Sequence, residues 1–147
     1  MTLTLVQANA IIEAALAEGR RRQLAPLAVA VLDSGGHLIA FQREDGAGFA
    51  RIDIACGKAW GALGMGFDTR ELARRAEHWP TFVAALATAT QGRMIPSPGG
   101  VLIRSAGGGL IGAVGISGDV GDEDEACAFA GLAAAGLGAP PSPAAEA

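Results

Sequence analysis

One lysine stands in this chain, Lys58 within ACGKAWG, while the other ten of its 11 basic residues are arginines. A compact ammonium on a flexible stem can give up its proton when desolvated, which a guanidinium cannot do. A lysine so placed could serve as a base, or as a nucleophile toward a small carbonyl or carboxylate compound. Arg43 and Asp45, in the segment QREDGAG that leads into the lysine's helix, are the groups that would stand beside such a substrate. Free N–H groups and the positive dipole end at a helix start attract anions. The same residues also read as a capping aspartate with two solvated cations.

The acidic run SGDVGDEDEA sets Asp119, Asp122, Glu123, Asp124 and Glu125 close together. A Ca²⁺ loop alternates its ligands around a glycine and ends on a distal glutamate, whereas this run leads straight into a helix. Its reading is structural, with Asp122 as N-cap, Glu125 closing a capping box, and the acids complementing the dipole. No metal site is assigned. Ser117, which ends the apolar strand before this run, is counted among the ligand-facing positions. Cys56 and Cys127 sit in apolar helical surroundings without CxxC spacing and read as reduced core residues. No Ser-His-Asp order or metal triad is spelled out. The glycines of SAGGGLIG lie in a hairpin turn and do not open a helix as a phosphate loop does.

Positioning these residues falls to a short series of elements. LTLVQANAIIEAALAEGRRRQL carries Leu5, Ala8, Ile12, Ala15 and Leu16 at helical spacing, with Thr4 before them as a cap. The apolar run at residues 27–32 predicts a central strand covered on both faces, and DSGG at 33–36 supplies the turn of a hairpin. A second helix over DGAGFARIDIACGKAWGALGMG follows, then a third over DTRELARRAEHW capped by Asp68 or Thr69, and a fourth after Pro80. VLIRSAGGGLIGAVGIS predicts a second hairpin and DEDEACAFAGLAAAGL a closing helix. The order describes an α+β domain with an antiparallel sheet layered with helices, without the βαβ alternation of a Rossmann fold.

On a helical wheel, Ile52, Cys56, Ala59 and Leu63 make the core face of the second helix, with Gly57, Gly61 and Gly64 roughly opposite. Glycine inside a helix costs about 0.5–1 kcal/mol against alanine. Three on one side therefore imply close approach of another backbone, from a neighbouring helix or subunit. Lys58 falls at the edge of that bare face, near Arg51, outside the domain core.

The bulk composition narrows the class of function. A chain of 147 residues with net charge -4 makes one domain, over residues 1–138, and has no basic tract for nucleic acid or a membrane surface. Arg20, Arg21 and Arg22 read as a solvated helix end favoured by the dipole. No apolar run reaches the roughly 20 residues of a spanning helix, and the first residues lack a leader's charged and apolar regions, so the expected setting is cytoplasmic. Residues 139–147, APPSPAAEA, read as a disordered tail with nothing to bury.

VAVLDSGGHLIAFQREDGAG, IACGKAWGA, PGGV and IGAVGISGDVGDEDEACAFAGL together resemble the successive signature segments of the GlcG/HbpS family of haem-binding-protein-like domains. The same domain forms the C-terminal part of PduO-type cobalamin adenosyltransferases, and the resemblance runs from about Leu3 to Leu137. It implies a layered α+β domain, self-association as dimers or higher homo-oligomers, and a small-molecule ligand, with haem or a related tetrapyrrole as cofactor. It also implies a shared pocket at Arg43, Asp45, Lys58, Gly99 and Gly100. Haem iron needs a His, Met, Cys or Tyr ligand, which leaves His37 at a hairpin turn and His78 at a helix end as the histidine candidates, since tyrosine is absent. Two functions from different classes follow. One is a homo-oligomeric binding protein; the other is a cofactor-independent enzyme using Lys58 with Arg43 and Asp45.

Overall fold

The computed structural model describes residues 2–138, so the expected disordered tail at 139–147 lies outside the described residues. The chain runs α1 (Leu5–Arg21), β1 (Ala28–Asp33), β2 (Leu38–Arg43), α2 (Arg51–Met65), α3 (Thr69–His78), α4 (Pro80–Ala89), β3 (Gly100–Arg104), β4 (Leu110–Ser117) and α5 (Gly121–Ala134). One antiparallel sheet of order β2-β1-β4-β3 forms from the two hairpins, whose inner strands β1 and β4 pair with each other. The α+β class and the hairpin assignments are those the sequence predicts.

Side-chain size along β1 and β4 divides the sheet into two unlike faces. Alternation sends Val29, Val31, Val114 and Ile116 to one side, and the register pairs Val29 with Ile116 and Val31 with Val114. These valines and isoleucines meet Ile11, Ile12 and Ala15 of α1 and Cys127, Ala128 and Leu132 of α5 in the main core. The other side presents Ala28, Ala30, Ala113 and Gly115, a shallow surface that a helix can approach at backbone distance. On it lies α2, with Ala59 and Ala62 against Leu32 and Ala113 in a second, smaller core. The third and fourth helices extend this layer outward, α3 reaching both α2 and β3.

Several local expectations change once packing is seen. Thr4 caps α1 in a full capping box with Gln7, but Leu5 is exposed, and the buried stripe is Ala8, Ile11, Ile12, Ala15 and Gly19. Asp68 holds the N-cap position of α3 without capping it, because its Oδ1 accepts the Leu102 N–H at 2.9 Å and ties the helix start to β3. At α5 the N-cap is Val120, two residues earlier than expected. Asp122 and Glu125 make no capping box; Arg70 holds both, with Nη2 to Asp122 at 2.6 Å and Nε to Glu125 at 3.0 Å. A guanidinium fork offered by α3 competes better for two carboxylates than backbone N–H groups do.

The buried face of α2 is Ala55, Lys58, Ala59 and Ala62, with Gly57 and Gly61 also covered. The expected face through Ile52, Cys56 and Leu63 is off by about one residue. Those larger side chains are half-buried at the flanks, since a sheet surface of glycine and alanine admits only alanine beneath a helix lying so close.

Candidate functional site

Lys58 is in the core, not at its edge. It is 3% exposed, and its Nζ donates to Oδ2 of Asp124 at 3.0 Å across the gap between α2 and the first turn of α5. The other carboxylate oxygen of Asp124 accepts the Asp119 N–H at 3.1 Å. Burial holds the Lys58 ammonium below its usual range and pushes the Asp124 carboxyl above its own, and in each case the attraction of the partner charge works against the shift. Arg51, two turns before Lys58 at the start of α2, adds a like charge that favours the neutral lysine.

Glycines make room for this pair. Gly99 has φ +125°, a conformation side chains rarely adopt, and a Cβ there would sit 3.0 Å from Lys58 Nζ and 3.1 Å from Asp124 Cβ. A Cβ on Gly100 would collide with the Lys58 carbonyl oxygen, and one on Gly115, its cross-strand neighbour, with the Ala55 carbonyl oxygen. The α2 backbone therefore rests directly on β3 and β4. Ser117, also buried, accepts from Arg51 Nη1 at 2.9 Å, and the N–H of its neighbour Ile116 donates to the Gly99 carbonyl at 3.0 Å. Lys58, Gly99, Gly100 and Ser117 are thus gathered at one end of the sheet with Arg51 and Asp124.

Arg43 and Asp45 lie apart from that cluster. Both are exposed and line a different concavity of about 410 Å³ with Arg20, Pro26 and Glu44. Within the single chain, the Lys58 ammonium faces Asp124, so base or imine chemistry on an external substrate would first require that pair to open.

Sequence reading passed over Asp124 as a partner and treated it as one acid among five. Its spacing carries the signal: Asp124, Cys127, Ala128 and Gly131 repeat at i, i+3, i+4 and i+7, and all are buried. Lys58 sits in the same pattern with Ala55, Ala59 and Ala62. Two opposite charges on the buried stripes of two helices are each other's natural partners.

The two histidines differ in their surroundings. His37 is 82% exposed at the β1–β2 turn, with Nδ1 3.3 Å from Asp33 Oδ1, beside a concavity of about 370 Å³ that includes Leu3, Ile39 and Ile111. His78 ends α3 next to Trp79, exposed, with ring centroids 5.8 Å apart. Cys127 is buried, and desolvation pushes its thiol up to about 11. Cys56, expected in the core, is half-buried in the wall of a third concavity. Its thiol is also raised, by burial and then by Asp53.

Opposite the sheet, the glycine side of α2 receives residues 93–96. A Cβ on Gly57 would stand 2.6 Å from Ile95 Cγ1 and 3.2 Å from the Arg93 carbonyl oxygen, while Gly61 and Gly64 face Met94. The close backbone approach expected for the glycines is therefore made by the chain's own connection between α4 and β3. No helix of the described residues is long and apolar enough to cross a membrane.

Known proteins align with this architecture along most of its length. The family model described as haem degrading protein HbpS-like matches residues 3–133. An uncharacterised 15.0 kDa protein from the dhaT-dhaS intergenic region of Citrobacter freundii is 29% identical over 131 residues, which span 89% of this chain and 90% of that protein. The crystal structure of a PduOC:haem complex superposes with a TM-score of 0.82 at 27% identity, over 91% of this chain and 95% of that one. HbpS superposes with a TM-score of 0.77 at 29% identity, over 90% and 89%.

Proposed function

The chain belongs to the HbpS-like family, and from that premise we propose that it is a homo-oligomeric small-molecule-binding protein whose ligand is haem or a related tetrapyrrole. The observation that carries this reading is the likeness to the PduOC:haem complex over nearly the whole of both chains. Among the donors of this chain, His37 fits an axial ligand best. Its contact with Asp33 leaves Nε2 free, and a carboxylate that orients a metal-binding imidazole is a recurrent support for such ligands. Leu3, Ile39 and Ile111 provide an apolar wall beside it. The thiol of Cys56 is a weaker choice, because burial and Asp53 keep it protonated. Bound haem would supply an iron centre open to a further small ligand. The chain supplies an oriented imidazole and a surface that sheds water.

Hemin added to the protein is expected to give a saturable Soret band that is lost or shifted in His37→Ala and unchanged in His78→Ala. Asp33→Asn weakens binding by about tenfold or more through the loosened imidazole. A Soret band identical in His37→Ala moves the ligand role to another residue, and no band at all removes the tetrapyrrole reading.

Self-association is supported by α4. Of its ten residues only Val83 is buried, Phe82 on it is 56% exposed, and Trp79 at its N-cap is 55% exposed. Apolar surface of this kind on a small domain marks an interaction site. Light scattering is expected to give a mass above that of one chain, falling to one chain in Phe82→Asp; a wild-type monomer at micromolar concentration would remove the oligomer.

A further inference from the structure

The third concavity, about 400 Å³ in volume, lies between residues 53–60 of α2, the β1–β2 turn and the loop after α4. Leu32, Leu38, Cys56 and Trp60 give it apolar walls, and Arg93 and Asp53 bring one charge of each sign. Arg93 is built into place. Its guanidinium lies 4.2 Å above the Trp60 ring, its Nε donates to the Thr90 carbonyl at 3.0 Å, and its backbone is seated against α2 at Gly57. The turn that delivers it places Gln91 at φ 57° and Gly92 at φ 77°, the former an uncommon conformation for a side-chain-bearing residue. Among the described residues these contacts occupy one guanidinium nitrogen and one face, and none of them is a carboxylate. The two terminal nitrogens keep the planar fork that pairs with a carboxylate through two parallel hydrogen bonds.

We propose that this concavity binds a small monocarboxylate with a flat apolar body, its carboxylate on Arg93 and its body against Leu32, Leu38 and Trp60. Asp53 faces the same space and repels a second carboxylate inside the concavity, so an acid that must bring two carboxylates into it is disfavoured. The proposal stands on this geometry and is independent of the tetrapyrrole reading. The carboxylate could belong to a small aromatic acid or to a tetrapyrrole side chain.

The test uses the full chain carrying Trp79→Phe, which leaves Trp60 as its one tryptophan. Benzoate is expected to change the Trp60 emission saturably, and benzamide, of the same shape without charge, is expected to leave it unchanged. Arg93→Gln weakens benzoate binding by about tenfold or more at an unaltered melting temperature, and Cys56→Leu, which fills the space while keeping the arginine, does likewise. No saturable response to benzoate, an equal response to benzamide, or full affinity in Arg93→Gln would each overturn the site. A hemin arm separates the two sources. Competition with benzoate assigns the arginine to tetrapyrrole carboxylates, whereas hemin binding that leaves the benzoate titration untouched assigns it to a small acid.

Discussion

Lys58→Met lowers stability by about 3–5 kcal/mol, because it strands the Asp124 carboxylate without its partner in a site where the acid is 0% exposed. Urea unfolding at neutral pH reads the loss, and a loss below about 1 kcal/mol would mean that water enters the site and the pair is open. Removing both charges is a different experiment. Lys58→Met with Asp124→Leu is expected to return most of the stability, since a buried ion pair does little better than apolar groups of similar size. The pH dependence has a definite sign. Asp124 is raised above its usual 3.8, so the folded protein holds that proton more tightly, and the contribution is greatest below 3.8 and fades as pH climbs through the folded value. In Lys58→Met the partner's opposing pull is gone, the shift grows, and the variant is least unstable in mild acid. Lys58 is lowered from 10.5, so its desolvation cost weighs on the fold below the folded value and is relieved as pH rises toward 10.5.

Gly115→Ala and Gly100→Ala each cost more than about 4 kcal/mol and leave little folded protein in the cell, a larger effect than most core truncations produce. At Gly115 the new methyl group meets the Ala55 carbonyl oxygen and, at 2.8 Å, the Ala59 nitrogen; at Gly100 it meets the Lys58 carbonyl oxygen and Thr69 Cγ2 at 2.8 Å. Backbone of a packed helix cannot step aside as a flexible side chain can. Gly48→Ala, at a site with nothing within 4 Å, is the control and changes stability by no more than about 0.5 kcal/mol. Thermal melts of the three variants decide the matter, and equal melting temperatures would mean that α2 does not lie directly on the strands.

Most of the fold was open to reading because each element carries its own local period. The strands β1 and β4 alternate large with small residues, Thr4 and Gln7 announce α1, and Pro80 opens α4. The phase of α2 was harder. A wheel weighted by hydrophobicity favours Ile52 and Leu63, but a sheet faced with Ala113 and Gly115 selects alanine, and that surface is assembled from strands about 50 residues away in sequence. For the same reason Lys58 looked peripheral, although its spacing with Ala55, Ala59 and Ala62 marked it as buried. Asp124 was equally legible in its own helix and hidden only by the acids beside it. The pairing of Arg93 with Trp60 lies beyond local periodicity, since it depends on how residues 93–96 return across a helix 33 residues upstream.

Backbone presses on α2 from two opposite sides, through β3 and β4 at Gly100 and Gly115 and through residues 93–96 at Gly57. A helix wedged in this way has neither a roll nor a slide available to it, so it cannot serve as a moving part. Its amide protons should exchange only when the whole domain opens, while those of Gln91 and Gly92, exposed and at positive φ, exchange through local openings. The protein thus combines an immobile spine with a yielding rim, and whatever motion accompanies ligand entry is confined to the rim.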